Sequence, residues 1–340
     1  MTCTFENSYF ESEAFLRTTL HFMTVFEVPL NIFGAYLIIR KSPKSMSSAR
    51  GVILLLHTAS AIMDFFVTFL IIPYEFSPYP FVYPVGFLSF RGVSSPVQVY
   101  IASNVMAAVA ISLVVFFENR YNAVVIGKNG GGTRRNAKRY ALFVLDMGMC
   151  AVLAVQIFWQ LPDSKTAREH FLEKHSCVPL ALLDNPNFID INAGSVAMPI
   201  YLAIVLVFIF SQSSFFVLYT FYHLFFSTKI VSRSTQQLQR KFFIALLMQA
   251  FIPLIVLAGP IAYGYISWYI WYYNQKYNNF KIIAIGFNGF LTTITMILVH
   301  SPYRNAVKEI IPGIVKKWKA TVAHAPSGGS HSPEPSRNIS

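Results

Sequence analysis

The sequence predicts an all-α polytopic membrane protein, a bundle of seven transmembrane helices followed by a cytoplasmic amphipathic helix. Three observations carry that prediction. Of 340 residues, 54% are hydrophobic and only 12% are charged, about half the charged share of a soluble domain. Seven apolar segments are each long enough to cross a bilayer core, which takes about 20 residues of helix. Basic residues collect in alternate gaps between those segments, as retention of lysine and arginine on the cytoplasmic side requires.

Residues 1–17 hold Glu6, Glu11 and Glu13 and no basic leader. No cleavable signal peptide is expected, and the first apolar segment itself directs insertion. The spans cover roughly 18–39, 51–74, 97–117, 140–161, 196–226, 242–266 and 281–300, as helices because a helix satisfies its own backbone hydrogen bonds in lipid. The first gap carries Arg40, Lys41, Lys44 and Arg50, and the third carries Arg120, Lys128, Arg134, Arg135, Lys138 and Arg139. Lys229, Arg233, Arg240 and Lys241 lie in the fifth gap, and a further basic group follows the seventh span. The acidic residues are biased the other way, which places the N-terminus outside the cell and the C-terminus in the cytoplasm, in a multi-pass plasma-membrane protein.

Between spans, 75–96 carries Pro78, Pro80, Pro84 and Pro96, which favour extended and turn conformations over helix. The longest external loop, 162–195, contains Cys177 and is expected to be a structured cap. After the seventh span, Val307, Ile310, Ile311, Ile314, Val315 and Trp318 recur at helical spacing beside Lys308, Lys316, Lys317 and Lys319. That pattern predicts an amphipathic helix over 301–322 lying on membrane lipid. The Pro-, Ser- and Gly-rich tail 323–340 cannot bury enough apolar surface to fold. The organisation is therefore an extracellular N-terminus 1–17, a bundle 18–300, the amphipathic helix 301–322 and the tail.

The net charge of +12 does not indicate nucleic acid, because the basic residues lie in gaps between apolar runs and not on one face of a soluble domain. Cys3, Cys150 and Cys177 are too few for a disulfide scaffold and have no metal-ligand spacing. No nucleophile motif is present, so neither a catalytic residue nor a cofactor is expected. Inside the spans stand Glu27, His57, Asp64 and Asp146, each costly in lipid unless paired or hydrated. His57 and Asp64, seven apart, share a helical face, with Asn104 a candidate neighbour. They serve either as interhelical hydrogen bonds or as a switch or ion site. Pro253 and Pro260 in the sixth span each remove a backbone hydrogen bond and permit a hinge.

At the cytoplasmic end of the third span, Phe117-Glu118-Asn119-Arg120-Tyr121 resembles the acidic-Arg-aromatic signature of rhodopsin-like receptors. In those the arginine adjoins the acid and engages the G protein after the sixth helix moves outward. Here Asn119 intervenes, and residues two apart do not face each other on a helix. Arg120 is therefore expected to contact the G protein or to hold the inactive state through a partner other than Glu118.

Several stretches together resemble the nematode serpentine receptors of class H, a family of chemosensory G-protein-coupled receptors. They are His300-Ser301-Pro302-Tyr303-Arg304, Phe117-Glu118-Asn119-Arg120, Gln249 with Pro253, and Pro29 with Phe33, Gly34 and Tyr36. Asn288-Gly289 departs from the His-Gly expected of the family. The resemblance implies an external small-molecule or peptide ligand and a heterotrimeric G protein as partners. It implies coupling or switch roles for Glu118, Arg120, Tyr121, Pro253, His300, Pro302, Tyr303 and Arg304.

In the outer half of the bundle, Tyr100, Asn104, Met198, Tyr201, Tyr263 and Tyr265 lie at depths suited to a ligand pocket, which is mostly apolar with a few polar groups. Cys177 has no cysteine near the outer end of the third span to pair with, and Cys150 lies inside the fourth. Cys3 is the remaining partner on the oxidising side, which leaves two alternatives, a Cys3–Cys177 bridge over the ligand entrance or two free thiols. A seven-helix channel or a small-molecule transporter is the alternative function. The channel places its N-terminus inside, and the transporter calls for broken helices in repeated positions that the sequence lacks.

Overall fold

A computed structural model describes residues 3–4, 8–79, 81–127, 132–160, 165–166, 169, 188–190, 197–226, 233–310 and 312. Its long helices are α1 (Glu13–Lys41), α2 (Ser47–Phe65), α3 (Ser95–Tyr121), α4 (Thr133–Gln160), α5 (Ala197–Phe226), α6 (Arg233–Ile270) and α7 (Gln275–Val299). Both α2 and α3 continue into a wider π-type turn, Phe66–Leu70 and Asn122–Ile126. By length and composition, and among the described residues, six of these helices qualify as membrane spans. The remaining one, α6, is 38 residues long and holds the apolar run 242–262 interrupted by Pro253 and Pro260.

Local signals set several ends. The Ser12 hydroxyl accepts from the Phe15 amide at 3.1 Å and caps α1. Asn274 caps α7 through the Tyr277 amide at 3.2 Å. Such caps satisfy amides that have no partner in the first turn. At the far end of α5, Arg240 donates to the carbonyls of Leu224 at 2.7 Å and Phe225 at 3.3 Å, supplying donors to a helix C-terminus. Hydropathy marks only the part of a helix inside hydrocarbon, so the polar start of α6, Arg233–Lys241, and of α4, Thr133–Arg139, fell outside the expected spans.

The helices close a ring in chain order, with α7 packed on α6, α1 and α2, and with α3 packed on α2, α4 and α5. Large apolar side chains face outward from it: Phe210 is 74% exposed, Val144 71% and Ile255 69%. A soluble protein does not present so much contiguous apolar surface; lipid is the solvent of this outer face.

One end of the bundle carries strands that hydropathy does not reveal. Here β1 (Cys3–Thr4) runs parallel to β5 (Tyr273–Asn274), while β3 (Phe81–Pro84) lies between β2 (Pro73–Glu75) and β4 (Ile189–Asp190), antiparallel to both. Tyr74 pairs with Tyr83 across β2 and β3. Pro84 is thus extended in β3 and Pro78 lies in the turn that joins β2 to β3, whereas Pro96 sits in the first turn of α3, where a missing amide costs nothing. Tyr74, Phe76, Tyr83, Phe188 and Tyr273 are fully buried beneath Leu16, Leu20 and Ile282. Polar side chains tie this cap to the helices: Tyr74 donates to the Glu11 carbonyl at 2.5 Å, Tyr83 to the Glu13 carboxylate, and Lys281 pairs with Glu75. Burial, then the nearby Glu13 charge, push the Tyr83 hydroxyl well above its ordinary pKa.

Candidate functional site

The opposite end of the bundle collects the basic residues, and its centre is a cavity of about 660 Å³. Two segments named by sequence motif meet there with a stretch of α6: Asn119 and Arg120 from α3 and His300, Ser301 and Pro302 beyond α7, with Gln239 and Phe242 from α6. Arg120 is 9% exposed. Its guanidinium carbon lies 4.8 Å from the Phe242 ring centroid, and Nη2 donates a long 3.4 Å bond to the Gln239 carbonyl. A cation held over an aromatic face inside a desolvated site is attracted by the ring quadrupole. Arg120 therefore reaches α6.

Glu118, two residues earlier and 3% exposed, accepts instead from Nη2 of Arg139 on α4 at 2.6 Å. The acid and the arginine of the motif thus serve two different interfaces. Tyr121 turns toward α5, with ring centroids 5.5 Å from Phe216 and 5.7 Å from Tyr219.

From Phe242 the contacts continue through α7. The His300 ring lies 5.8 Å from Phe242 and 5.6 Å from Tyr303, and its Nε2 meets Oε1 of Gln249 on α6 at 2.9 Å. Ser42 spends its proton on the Ile38 carbonyl at 2.6 Å, so Tyr303 is the donor in the 2.9 Å bond to Ser42 Oγ. Arg304 donates to the Leu298 carbonyl at 2.7 Å and closes the end of α7. Residues 301–310 are helical. Tyr303 and Ala306 are buried in the cluster of Leu37, Ile53, Phe117 and Met296, and Val307 and Ile310 pack on it. The first turns of the expected amphipathic helix therefore bury an apolar face in the bundle; 313–322 and the tail lie outside the described residues.

A sequence profile described as "Serpentine type 7TM GPCR chemoreceptor Srh" matches residues 11–313. The chain belongs to the Srh family. It is also 25% identical over 288 residues to "Serpentine receptor class H-72" of Caenorhabditis elegans, spanning 83% of this chain and 81% of that protein. The family is one of receptors, and the Srh chain is a multi-pass membrane protein with the seven-helix bundle described above.

Midway along this Srh bundle, polar groups join α1, α2 and α7. His57 Nε2 donates to the Asn31 carbonyl at 2.9 Å, and Thr293 donates to Asn31 Oδ1 at 2.6 Å. Gly34 makes room for the imidazole, since a Cβ there would lie 2.8 Å from His57 Cε1. Asp64, 8% exposed, packs where Gly289 of α7 would otherwise carry a Cβ, and any side chain at that position would overlap the carboxylate. Glu27 is 3% exposed, and among the described residues neither of its oxygens has a hydrogen-bond partner. The neighbour offered by sequence, Asn104, donates to the Tyr100 carbonyl of its own helix at 2.8 Å.

The outer aromatic residues separate. Tyr263 points inward, with its hydroxyl 3.3 Å from Asn278 Oδ1. Tyr265 is 71% exposed, because two helical steps turn a side chain to the opposite face; it cannot line the same cavity as Tyr263. Tyr100 and Asn104 lie on α3. Met198 and Tyr201 lie on α5 and Pro253 on α6, with side chains outside the described residues. Cys3 sits in β1 against Tyr273 of β5, and Cys177 lies outside the described residues. Arg139, Gln239, Phe242, Asn31 and Gly289 were not singled out from sequence for these contacts. Each acts through a partner distant in the chain, and only Gly289, beside the departure at Asn288, had any local signal.

Proposed function

We propose that this Srh chain is a chemosensory G-protein-coupled receptor of the plasma membrane, with its N-terminus outside and its basic end in the cytoplasm. In this reading an external ligand binds toward the strand end, and a heterotrimeric G protein docks on the cavity at the basic end. The observation that carries the reading is that cavity: it is walled by Arg120, His300 and Pro302, the residues of the two family motifs, and α6 crosses it at Phe242. Outward movement of α6 would part Phe242 from both Arg120 and His300 and enlarge the opening. The ligand pocket is proposed near Tyr100, Asn104, Met198, Tyr201 and Tyr263, without Tyr265.

Two measurements test this. An N-terminal epitope should be accessible to antibody on intact cells; protection of that epitope would favour the inverted seven-helix channel. Arg120→Ala should abolish ligand-evoked signalling at normal surface expression, and undiminished signalling would remove Arg120 from the coupling role.

A further inference from the structure

On the lipid face of the bundle, α1 and α2 flank a groove of about 530 Å³. Ile32 and Ile62 line it and are 66% and 45% exposed, so it opens sideways into hydrocarbon. Both helices depart from regular geometry beside it. Pro29 brings no amide to α1, and α2 widens into the π-type turn whose Phe66 and Leu70 line the groove; such positions let a helix bend away from its neighbour. The polar residues of the lining are Asn31, His57 and Thr58, and the other walls are apolar. His57 donates to the Asn31 carbonyl, and Asn31 Oδ1 is taken by Thr293. Among the described residues neither Asn31 Nδ2 nor the Thr58 hydroxyl has a hydrogen-bond partner, and protein does not enclose either one. Asn31 stands ten residues from Lys41 at the end of α1, and Thr58 eleven from Ser47 at the start of α2. At about 1.5 Å per residue, both lie about 15 Å from the basic end, near the midplane of a hydrocarbon core about 30 Å thick.

Lipid tails offer these donors no acceptor, and a polar group left unpaired in hydrocarbon is costly. The ester carbonyls of a phospholipid and the hydroxyl of a sterol stay at the interface, about 15 Å from this depth. The acceptor therefore has to come from a molecule without a headgroup. We infer that the groove binds an uncharged, largely apolar small molecule dissolved in the bilayer, whose carbonyl oxygen accepts from the Asn31 amide and the Thr58 hydroxyl. A carbonyl oxygen has two lone pairs and can take both donors. None of the described lining residues is charged, so an ionic ligand would lie there unpaired. The volume falls within the range of about 300–1,000 Å³ for small-molecule sites. This site is distinct from the coupling cavity and the outer pocket proposed above, and its test reads binding alone.

The test uses the full-length protein in phosphatidylcholine nanodiscs and, as probe, a medium-chain aliphatic methyl ketone carrying a diazirine near its tail. After photolysis, peptide mapping should place adducts on groove residues such as Ile32, Phe65 and Phe66. At equal mole fraction in the bilayer, unlabelled ketone should compete about tenfold better than the alkane of the same length, as one net hydrogen bond allows. Thr58→Val, which keeps the shape and removes the hydroxyl, should reduce that preference, and Asn31→Leu should do the same. Ala61→Phe, which fills the groove, should abolish labelling there. Thermal unfolding confirms that each variant is folded, and Thr58→Val, at an exposed position, carries the comparison where Asn31→Leu does not fold. Equal competition by ketone and alkane overturns the inference, as do adducts confined to residues outside the groove or adducts that survive Ala61→Phe. Displacement of the probe by added sterol, with unlabelled ketone ineffective, would assign the groove to a membrane lipid and also overturn the inference.

Discussion

Phe242 is predicted to hold the resting arrangement of α3 against α6, and replacing it with Leu isolates that role. Leucine keeps an apolar side chain at the cavity wall but removes the ring face under Arg120 and the contact with His300. With the guanidinium 4.8 Å from the ring centroid and Arg120 only 9% exposed, the contact belongs toward the desolvated end of the range of about 0.5–2 kcal/mol for a cation–π pair. A loss of about 1.4 kcal/mol multiplies the population with α3 and α6 apart about tenfold. Phe242→Trp should shift it the other way, since indole is the strongest partner for a cation. Two assays read the population: ligand-independent nucleotide exchange on a reconstituted G protein, and the distance distribution between spin labels at the basic ends of α3 and α6. The second does not depend on coupling. Separation should follow the order Leu, Phe, Trp from most to least. Identical distributions in all three would refute the latch, and a rise in both variants would show that side-chain volume, not the ring face, holds the helices.

Glu118→Gln should lower thermal stability by about 1–3 kcal/mol through loss of the pair with Arg139, while basal signalling stays at the wild-type level. A several-fold rise in basal signalling would mean that Glu118 restrains Arg120 after all. Gly289→Ala places a methyl group on the Asp64 carboxylate and should destabilise the receptor by about 1–3 kcal/mol or more, seen as reduced monodisperse protein on size-exclusion chromatography. Gly148→Ala, where a Cβ meets nothing within 4 Å, should be neutral or stabilising by up to about 1 kcal/mol; equal behaviour of the two variants would refute the packing argument. For Cys3 and Cys177, a non-reducing peptide map should show that neither is alkylated until reductant is added. Alkylation of both without reductant excludes the bridge.

The bundle was legible in sequence because its determinants are local and one-dimensional. A run of apolar residues identifies a span wherever it occurs, and proline, serine and asparagine mark ends without reference to distant chain. The motifs at Glu118–Tyr121 and His300–Arg304 located the basic-end site for the same reason. Helix length was less legible: α6 begins at Arg233, nine residues before the apolar run, because a polar helix leaving the membrane carries no hydropathy signal. The strands at the other end were hidden, since β2 and β3 are only three and four residues long and are held by pairing, not by periodicity.

By itself, then, the amino-acid order determined the number of helices, the polarity of the two ends and two of the motifs that meet at the cavity, those of Arg120 and of His300 and Pro302. The tertiary structure alone decided which residues touch. Glu118 faces Arg139, Arg120 faces Phe242, and Asp64 takes the space of a side chain that Gly289 lacks. The physical reason is common to all three: each pair joins two helices, and the rotation of a helix about its axis is set by how it packs against its neighbours, which no local pattern in the chain records.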